Sequence, residues 1–291
     1  MKEIFTRNMN ISFGKTVAIT GATGGLGREI CFHLARQKAN IVLLDRNINK
    51  SLKLEADIKS LFPNTSISRI ILDLSDFESV KRAAEELKKI EIDFLVLNAA
   101  VYSVPRAILD TGFDNVFQIN FVSQYFLVKE LLPELKKKNG KVIALGSIAH
   151  TYSKTDCTDI DFKKRKESEK VYGNSKRFLM FSLLELFKNE KDVSCSIVHP
   201  GITFTNITAH YPKLLFAIIK YPMKIIFMKP KKASLCVIKG MLCDTQYDEW
   251  IGPRFFNVWG LPKTKKLDTC EQKERKFIFN TAEEIYKKIR G

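Results

Sequence analysis

Acidic side chains are in short supply in this 291-residue chain: 32 Asp and Glu face 48 Lys and Arg, leaving a formal charge of +16. An excess of that size would suit a nucleic-acid partner if it were gathered into one arm or stripe. The basic residues instead run through the whole length, as in a Lys-, Ile-, Asn- and Phe-rich composition of the kind an AT-biased genome produces, and no nucleic-acid partner is expected. Cysteine is sparse, six residues with no Cys-x-x-Cys spacing and no clustering with the four histidines. That argues against zinc, and reduced thiols in a cytoplasmic protein are expected. Long apolar runs are missing too. MKEIFTRNMN at the N-terminus lacks the apolar stretch of a signal peptide, and the nearest candidate for a membrane span, LLFAIIKYPMKIIFM from Leu214 to Met228, is broken by Lys220, Pro222 and Lys224. A bilayer crossing needs roughly 18 uninterrupted apolar residues.

What is present is 45% hydrophobic residues, ample for a core. They alternate between two patterns. TVAIT (16–20), NIVLLD (40–45), SRIILD (68–73), DFLVLN (93–98), KVIALG (141–146) and VSCSIVH (193–199) read as buried parallel strands. Between them LGREICFHLARQ, NKSLKLEADIKSLF, FESVKRAAEELKKI, VFQINFVSQYFLVKELLPELKK and YGNSKRFLMFSLLELFKNE carry apolar residues at helical spacing. A seventh strand is expected near WIGPRFFNV, and EQKERKFIFNTAEEIYKKIR closes the chain as a helix. Strand-helix alternation with short connections means an α/β, Rossmann-like doubly wound parallel sheet of about seven strands with helices on both faces. With no repeat, linker or composition break, residues 1–291 are expected to form one domain.

The first strand runs straight into TGATGGLG, Thr20 to Gly27, which opens a helix. Four glycines in seven positions suit a tight turn whose backbone N–H groups and helix N-terminus meet a pyrophosphate, an approach that a Cβ would obstruct. The second strand ends in Asp45 followed by Arg46. A carboxylate there suits the ribose hydroxyls of NAD, whereas a guanidinium pairs with the 2′-phosphate of NADP. The pair leans to NAD, because a fixed carboxylate beside a phosphate is costly while an arginine can turn to solvent.

Tyrosine and lysine stand four residues apart twice, at Tyr125–Lys129 and Tyr172–Lys176, where eight tyrosines and 36 lysines give about one such pair by chance, so the spacing alone proves nothing. Only the second pair follows a serine, Ser147, just past the end of a parallel strand, the edge where open α/β sheets bind ligands. Tyr125 and Lys129 sit mid-helix in NFVSQYFLVKELL and read as packing residues.

Together these motifs resemble the short-chain dehydrogenase/reductase family. Thr-Gly-x-x-x-Gly-x-Gly is matched at Gly21, Gly25 and Gly27, and the epimerase branch's spacing at Gly21, Gly24 and Gly27. LVLNAAV resembles the Asn-Asn-Ala-Gly element at Asn98 and Ala99, with Leu97 and Ala100 departing from it; VHPGITFT resembles the Pro-Gly segment, which with the Asn-Ala match favours the shorter branch over the epimerases. The resemblance implies Tyr172 as general acid/base, Lys176 as holder of ribose hydroxyls and depressor of the phenol pKa, Ser147 as hydrogen-bond partner of the reacting oxygen, and Asn120 as anchor of a proton-relay water. It implies a cofactor site of Gly21, Thr23, Gly24, Gly25, Leu26, Gly27, Asp45, Arg46, Asp73, Leu74, Asn98, Ala99, Pro200, Gly201 and Thr205 together with Tyr172 and Lys176. His150 and His199 have no carried-over catalytic role and are expected to be structural or on the surface.

GSIAH, HPG and the 24 residues between Ser147 and Tyr172 resemble the retinol-dehydrogenase-like subgroup. That implies an NAD(P)-dependent oxidoreductase acting on a small-molecule alcohol or carbonyl. A lipophilic substrate is expected from the apolar, basic stretch at about 204–230, which occupies the place of the family's substrate lid. Two alternatives stay open: a non-catalytic NAD(P)-binding regulator or redox sensor, and a sugar-nucleotide epimerase. Pairing into a homodimer or homotetramer through the helices bearing Asn120 and Tyr172 is a family habit. Contact of the lid with a membrane surface is a minor expectation.

Overall fold

The six apolar segments form parallel strands in the computed structural model, which describes residues 13–202 and 228–291. They are β1 (Thr16–Thr20), β2 (Asn40–Asp45), β3 (Ile67–Ile71), β4 (Phe94–Leu97), β5 (Lys141–Leu145) and β6 (Ser194–Val198). β7 (Glu249–Phe255) joins β6 in parallel where a seventh strand was expected, and an unanticipated β8 (Trp259–Lys266) pairs antiparallel with it. The sequence of β8, WGLPKTKK, hides the strand because it lacks apolar alternation and contains Pro262. Proline is tolerated there because β8 is the edge of the sheet.

The strand order is β3-β2-β1-β4-β5-β6-β7-β8. The chain winds outward from β1 to β3, then returns to build from β4 in the other direction. β1 and β4 are therefore neighbours whose following loops part to opposite faces, and a crevice opens at their carboxyl ends.

Helices α1 (Gly25–Arg36), α2 (Ile48–Leu61) and α6 (Pro230–Leu242) cover one face, burying Ile30, Leu34, Ile58 and Val237, with α6 lying over β5, β6 and β7. Helices α3 (Phe77–Leu87), α4 (Ser123–Lys137), α5 (Ser168–Phe187) and α7 (Gln272–Arg290) cover the other, around Phe117, Phe121, Phe178 and Phe181. The Phe117 and Phe178 rings meet edge to face at 5.0 Å. Each such fully buried side chain contributes roughly 1.5–3 kcal/mol. α6 starts with Pro230 at its first turn, where the missing N–H costs nothing. The rest of the lid expected at about 204–230, residues 204–227, lies outside the described residues.

The expected single helix over 116–137 is interrupted. Asn115–Phe117 is a short α turn, Gln118–Val122 is a π turn, and α4 follows. Gln124 supports the widened ladder, its Nε2 donating to the carbonyls of Ile119 and Asn120 at 3.3 and 3.1 Å and across to Ala99 at 3.0 Å.

The closing helix α7 packs on α5 and α4, the helices through which pairing with a second copy was expected. Tyr125 donates to Glu283 at 2.6 Å and Lys129 donates to the same carboxylate at 2.9 Å. The Tyr125 pair is thus a packing device, as its mid-helix position suggested. The buried Arg177 is held by Glu274 at 2.6 Å and by the carbonyl of His150 at 3.0 Å.

Candidate active site

The glycine loop leaves β1 with Gly21 in the left-handed region at φ +64°, where a Cβ would also press on Ala99 at 3.0 Å. A Cβ at Gly27 would lie 2.3 Å from the Gly21 carbonyl, so the first turn of α1 can fold back over the loop only with glycine there. Gly24 caps α1 without a side-chain bond, and the helix's first turn holds no acid, leaving its positive end available to an anion. Thr20 fastens the loop to β4. Its Oγ accepts from the N–H groups of Asn98 and Ala99 at 3.0 Å, and Asn98 Nδ2 donates back to the carbonyls of Thr20 and Gly21 at 2.9 Å.

From this loop a cleft of about 420 Å³ runs along the carboxyl ends of the strands. At one end it is lined by Thr23, Asp45, Arg46, Lys50, Asp73 and Leu74, in the middle by Gly21, Gly24, Gly25, Leu26, Gly27, Asn98 and Ala99, and at the other by Tyr172, Lys176 and Pro200. A long, bent ligand with an anionic centre fits that donor set: a helix terminus in the middle, two basic side chains at one end and a phenol–lysine pair at the other. The structure thus gathers the expected cofactor residues into one crevice, with Gly201 at φ +82° in the next turn of chain. Thr205 lies outside the described residues.

Asp45 is turned inward. Thr23 donates to its Oδ1 from both N–H and Oγ, at 3.2 and 3.0 Å, and Ser51 donates to Oδ2 at 3.2 Å. The carboxylate is buried, which raises its pKa against the lowering pull of those three bonds. Arg46 and Lys50 remain exposed beside it. Asp73 Oδ1 is held by the N–H and Oγ of Ser75 at 2.9 and 2.6 Å, and the Leu74 carbonyl accepts from Ser123 at 2.7 Å.

At the far end, β5 terminates at Leu145, and Ser147 caps a single 3₁₀ turn, Ile148–Thr151, its Oγ accepting from Ala149 N–H at 3.2 Å. The Ser147 side chain also lies close enough to the Tyr172 phenol to draw its pKa down. Lys176, one helical turn after Tyr172, is buried; its Nζ donates to the Leu145 carbonyl at 2.8 Å and lies 5.9 Å from the Tyr172 ring centroid. Burial pushes Lys176 down to about 7 and Tyr172 up to about 12, with only Ser147 drawing the phenol the other way. The depression of the phenol expected from Lys176 is not among the causes acting on it, and desolvation governs.

Asn120 braces the site. Its Oδ1 accepts from Val101 N–H at 2.8 Å, and its Nδ2 donates to the Val101 carbonyl at 2.9 Å and to Ser175 Oγ at 3.0 Å. Ser175 in turn donates to the Tyr172 carbonyl at 2.7 Å. The two histidines are structural. His150 is buried between the Ser147 carbonyl and Thr269 Oγ, each at 2.5 Å from a ring nitrogen. His199 stacks on Trp250 at 5.4 Å and reaches the Asn257 carbonyl at 3.0 Å.

Sequence reasoning passed over three residues. Gly173, directly after Tyr172, has space for no Cβ: one would sit 2.2 Å from the Ala149 carbonyl. An isolated glycine inside a helical pattern was the available signal. Gln124 supports both the π turn and Ala99, as above. Tyr102 stacks edge to face on Tyr172 at 5.2 Å and lines the cleft, and nothing in its sequence context marks it.

The comparisons agree with this geometry. The family model for short chain dehydrogenases matches residues 15–213. Retinol dehydrogenase 12 of Mus musculus is 34% identical over 212 residues, 70% of this chain and 66% of the mouse protein. Retinol dehydrogenase 13 of Homo sapiens is 30% identical over 203 residues, 68% of this chain and 61% of that protein. The chain thus matches somewhat less than two thirds of these relatives' length. A solved protein of Mycobacterium paratuberculosis superposes with a TM-score of 0.77 at 23% identity, covering 94% of each chain, a likeness of fold.

Proposed function

The chain belongs to the short-chain dehydrogenase/reductase family, in its retinol-dehydrogenase-like subgroup, and from that premise we propose that it interconverts an alcohol and a ketone or aldehyde by hydride transfer, with Tyr172 as general acid/base. The observation that carries the reading is the Tyr172 phenol beside Ser147, just past the end of a parallel strand, with Lys176 one turn away, at one end of a cleft whose middle is the glycine loop. The nicotinamide of the cofactor supplies or accepts the hydride. The chain's own residues do the rest. The glycine loop and the α1 N-terminus hold the pyrophosphate. Lys176 and Asn98 border the ribose, and Asp73 the adenine. Ser147 orients the substrate oxygen, while Tyr172 Oη gives it a proton in reduction and takes one in oxidation. Asn120, through Ser175, fixes the turn of helix that carries Tyr172, and we retain it as the anchor of the proton relay.

Of the two cofactors we favour NADP(H), against the lean to NAD from the sequence. Asp45 spends its oxygens on Thr23 and Ser51, and the exposed Arg46 and Lys50 are the charges left at that end of the cleft. A lipophilic substrate is supported by the apolar wall of Val101, Val104 and Ile119 near Tyr172 and by the retinol named for the relatives. A regulator without turnover would have no use for Ser147, Tyr172, Lys176 and Asn120 together.

The test is a panel of lipophilic and polar alcohols and carbonyls with NADPH and NADH, followed by nicotinamide absorbance. Tyr172→Phe is expected to lower kcat by at least about a thousandfold while cofactor binding, read by fluorescence, is retained. Undiminished turnover in that variant overturns the assignment.

A further inference from the structure

The hairpin formed by β7 and β8 ends in a cluster that the cleft does not use. Phe255, Phe256, Trp259 and Leu261 are 53%, 83%, 42% and 48% exposed, the densest run of exposed large apolar side chains among the described residues. Phe255 and Trp259 face each other across the hairpin, and the Phe256 and Trp259 rings meet edge to face at 6.3 Å. Single exposed apolar residues are ordinary, but a contiguous cluster on a hairpin turn marks a surface that meets something other than water.

The turn is tight and tied down. Phe256 and Asn257 both have positive φ, 50° and 57°. The tip is fastened from behind by Lys265, whose Nζ donates to Pro253 O and Asn257 Oδ1 at 2.7 Å, and by His199 at the Asn257 carbonyl. The aromatic side chains are therefore presented on a rigid support.

Charge identifies the occupant. From Gly252 to Lys266 the hairpin holds Arg254, Lys263 and Lys266 exposed beside the inward-tied Lys265 and no acidic residue; its one acid, Glu249, lies opposite Lys266 at the end away from the tip. A second copy docking here would bring two such basic sets together. An anionic lipid surface would satisfy both features, accepting Phe, Trp and Leu at the headgroup–acyl boundary and Lys and Arg at the phosphates. We propose that the β7–β8 hairpin is a docking surface for anionic phospholipid membranes. This places the contact on residues 249–266 of the sequence and not on the 204–230 segment. Gly201, next to the Pro200 that lines the cleft, abuts the hairpin: a Cβ there would meet Val258 O at 2.9 Å. Docking would hold the Tyr172 end of the cleft near the lipid surface.

The chain carries its own reporter. Of its two tryptophans, Trp250 is buried and Trp259 exposed, so a change in emission on binding reports on the hairpin. The full chain is mixed with vesicles of phosphatidylcholine alone or with phosphatidylserine, across a salt series, and scored by sedimentation and tryptophan emission. The expected result is association with the anionic vesicles, a blue shift of Trp259, and loss of both at high salt. The double variant Phe256→Ser/Leu261→Ser, its fold checked by circular dichroism and thermal unfolding, is expected to bind roughly tenfold more weakly or worse. Three results overturn the proposal: no association of wild type with anionic vesicles, equal association of the double variant, or self-association of wild type that the double variant abolishes, which would make the hairpin an interface between copies. Vesicle binding is measured without turnover, so its failure leaves the oxidoreductase reading untouched.

Discussion

Thr23 donates twice to Asp45, from its N–H at 3.2 Å and its hydroxyl at 3.0 Å, so the acidic residue at the end of β2 is a strut of the glycine loop. A strut and a ribose acceptor predict different mutant behaviour. Arg46→Ala and Lys50→Ala are each expected to lower kcat/KM for NADPH by about tenfold, the loss of one exposed charge-assisted contact of about 1.4 kcal/mol. With NADH the change should be slight. Asp45→Ala should weaken both cofactors, since it loosens the loop. Steady-state kinetics with the two cofactors check this, and a selective loss of NADH in Asp45→Ala would restore the carboxylate to the ribose.

A second expectation concerns Gly173. Helix α5 approaches the Ser147 turn so closely that a methyl group there would meet the Ala149 carbonyl at 2.2 Å. Gly173→Ala gains helix propensity of about 1 kcal/mol but must push Tyr172 and Ser147 apart. The expected outcome is a fall in kcat of about a hundredfold, because a displacement on the order of 1 Å at reacting groups costs that much. Binding of the cofactor to the loop should persist. Turnover and thermal unfolding measured side by side separate misplacement from misfolding.

The parts of this site that sequence reveals are those written in local pattern. Thr20–Gly27 announces itself because a strand, a turn and a helix follow within a dozen residues, and Tyr172–Lys176 because both lie on one helix face. Ser147 is legible only through its place at a strand end. What escaped depends on contacts between distant segments. The inward turn of Asp45 needs Ser51 and Thr23 from two different elements. The brace from Asn120 to Ser175 spans 55 residues. β8 escaped because an edge strand need not be apolar, and the π turn at Gln118–Val122 because its support, Gln124, acts through Ala99 on another strand's loop.

Tyr125 provides the control for the chemistry. It shares the Tyr-x-x-x-Lys spacing, but its hydroxyl and Lys129 both end on Glu283 of α7. Tyr125→Phe removes a buried hydrogen bond to a carboxylate, worth about 1.5–3 kcal/mol. It should lower stability in denaturant titration by roughly that amount and leave kcat/KM within about twofold. Tyr172→Phe should do the reverse. A loss of turnover in folded Tyr125→Phe at temperatures where wild type is stable would move the chemistry away from Tyr172.

The last expectation is a loss of stability in mild acid that begins at His150. Burial holds this imidazole at about 4, aided by the Arg177 guanidinium that donates to its own carbonyl at 3.0 Å. The Ser147 carbonyl requires a proton on Nδ1, and the Thr269 hydroxyl can satisfy Nε2 as an acceptor, so the neutral ring fits both partners. The folded value lies below the ordinary 6.5. Its contribution is therefore complete above pH 6.5 and is lost as pH falls toward 4, where the unfolded chain binds the proton that the folded one refuses. A shift of that size is on the order of 3 kcal/mol. His199, held at about 4 by the same burial, adds to it in the same window. Unfolding free energy measured from pH 7.5 to 4.5 should drop steeply below 6.5 in wild type. His150→Gln should start lower at neutral pH and fall less steeply, His199 supplying the remaining slope. Because the folded protein keeps His150 neutral down to about 4, its bond to the Ser147 carbonyl persists through this range, and any loss of turnover that traces to His150 should track global unfolding rather than precede it. A pH-independent unfolding free energy in wild type would mean that neither imidazole is kept neutral by its burial.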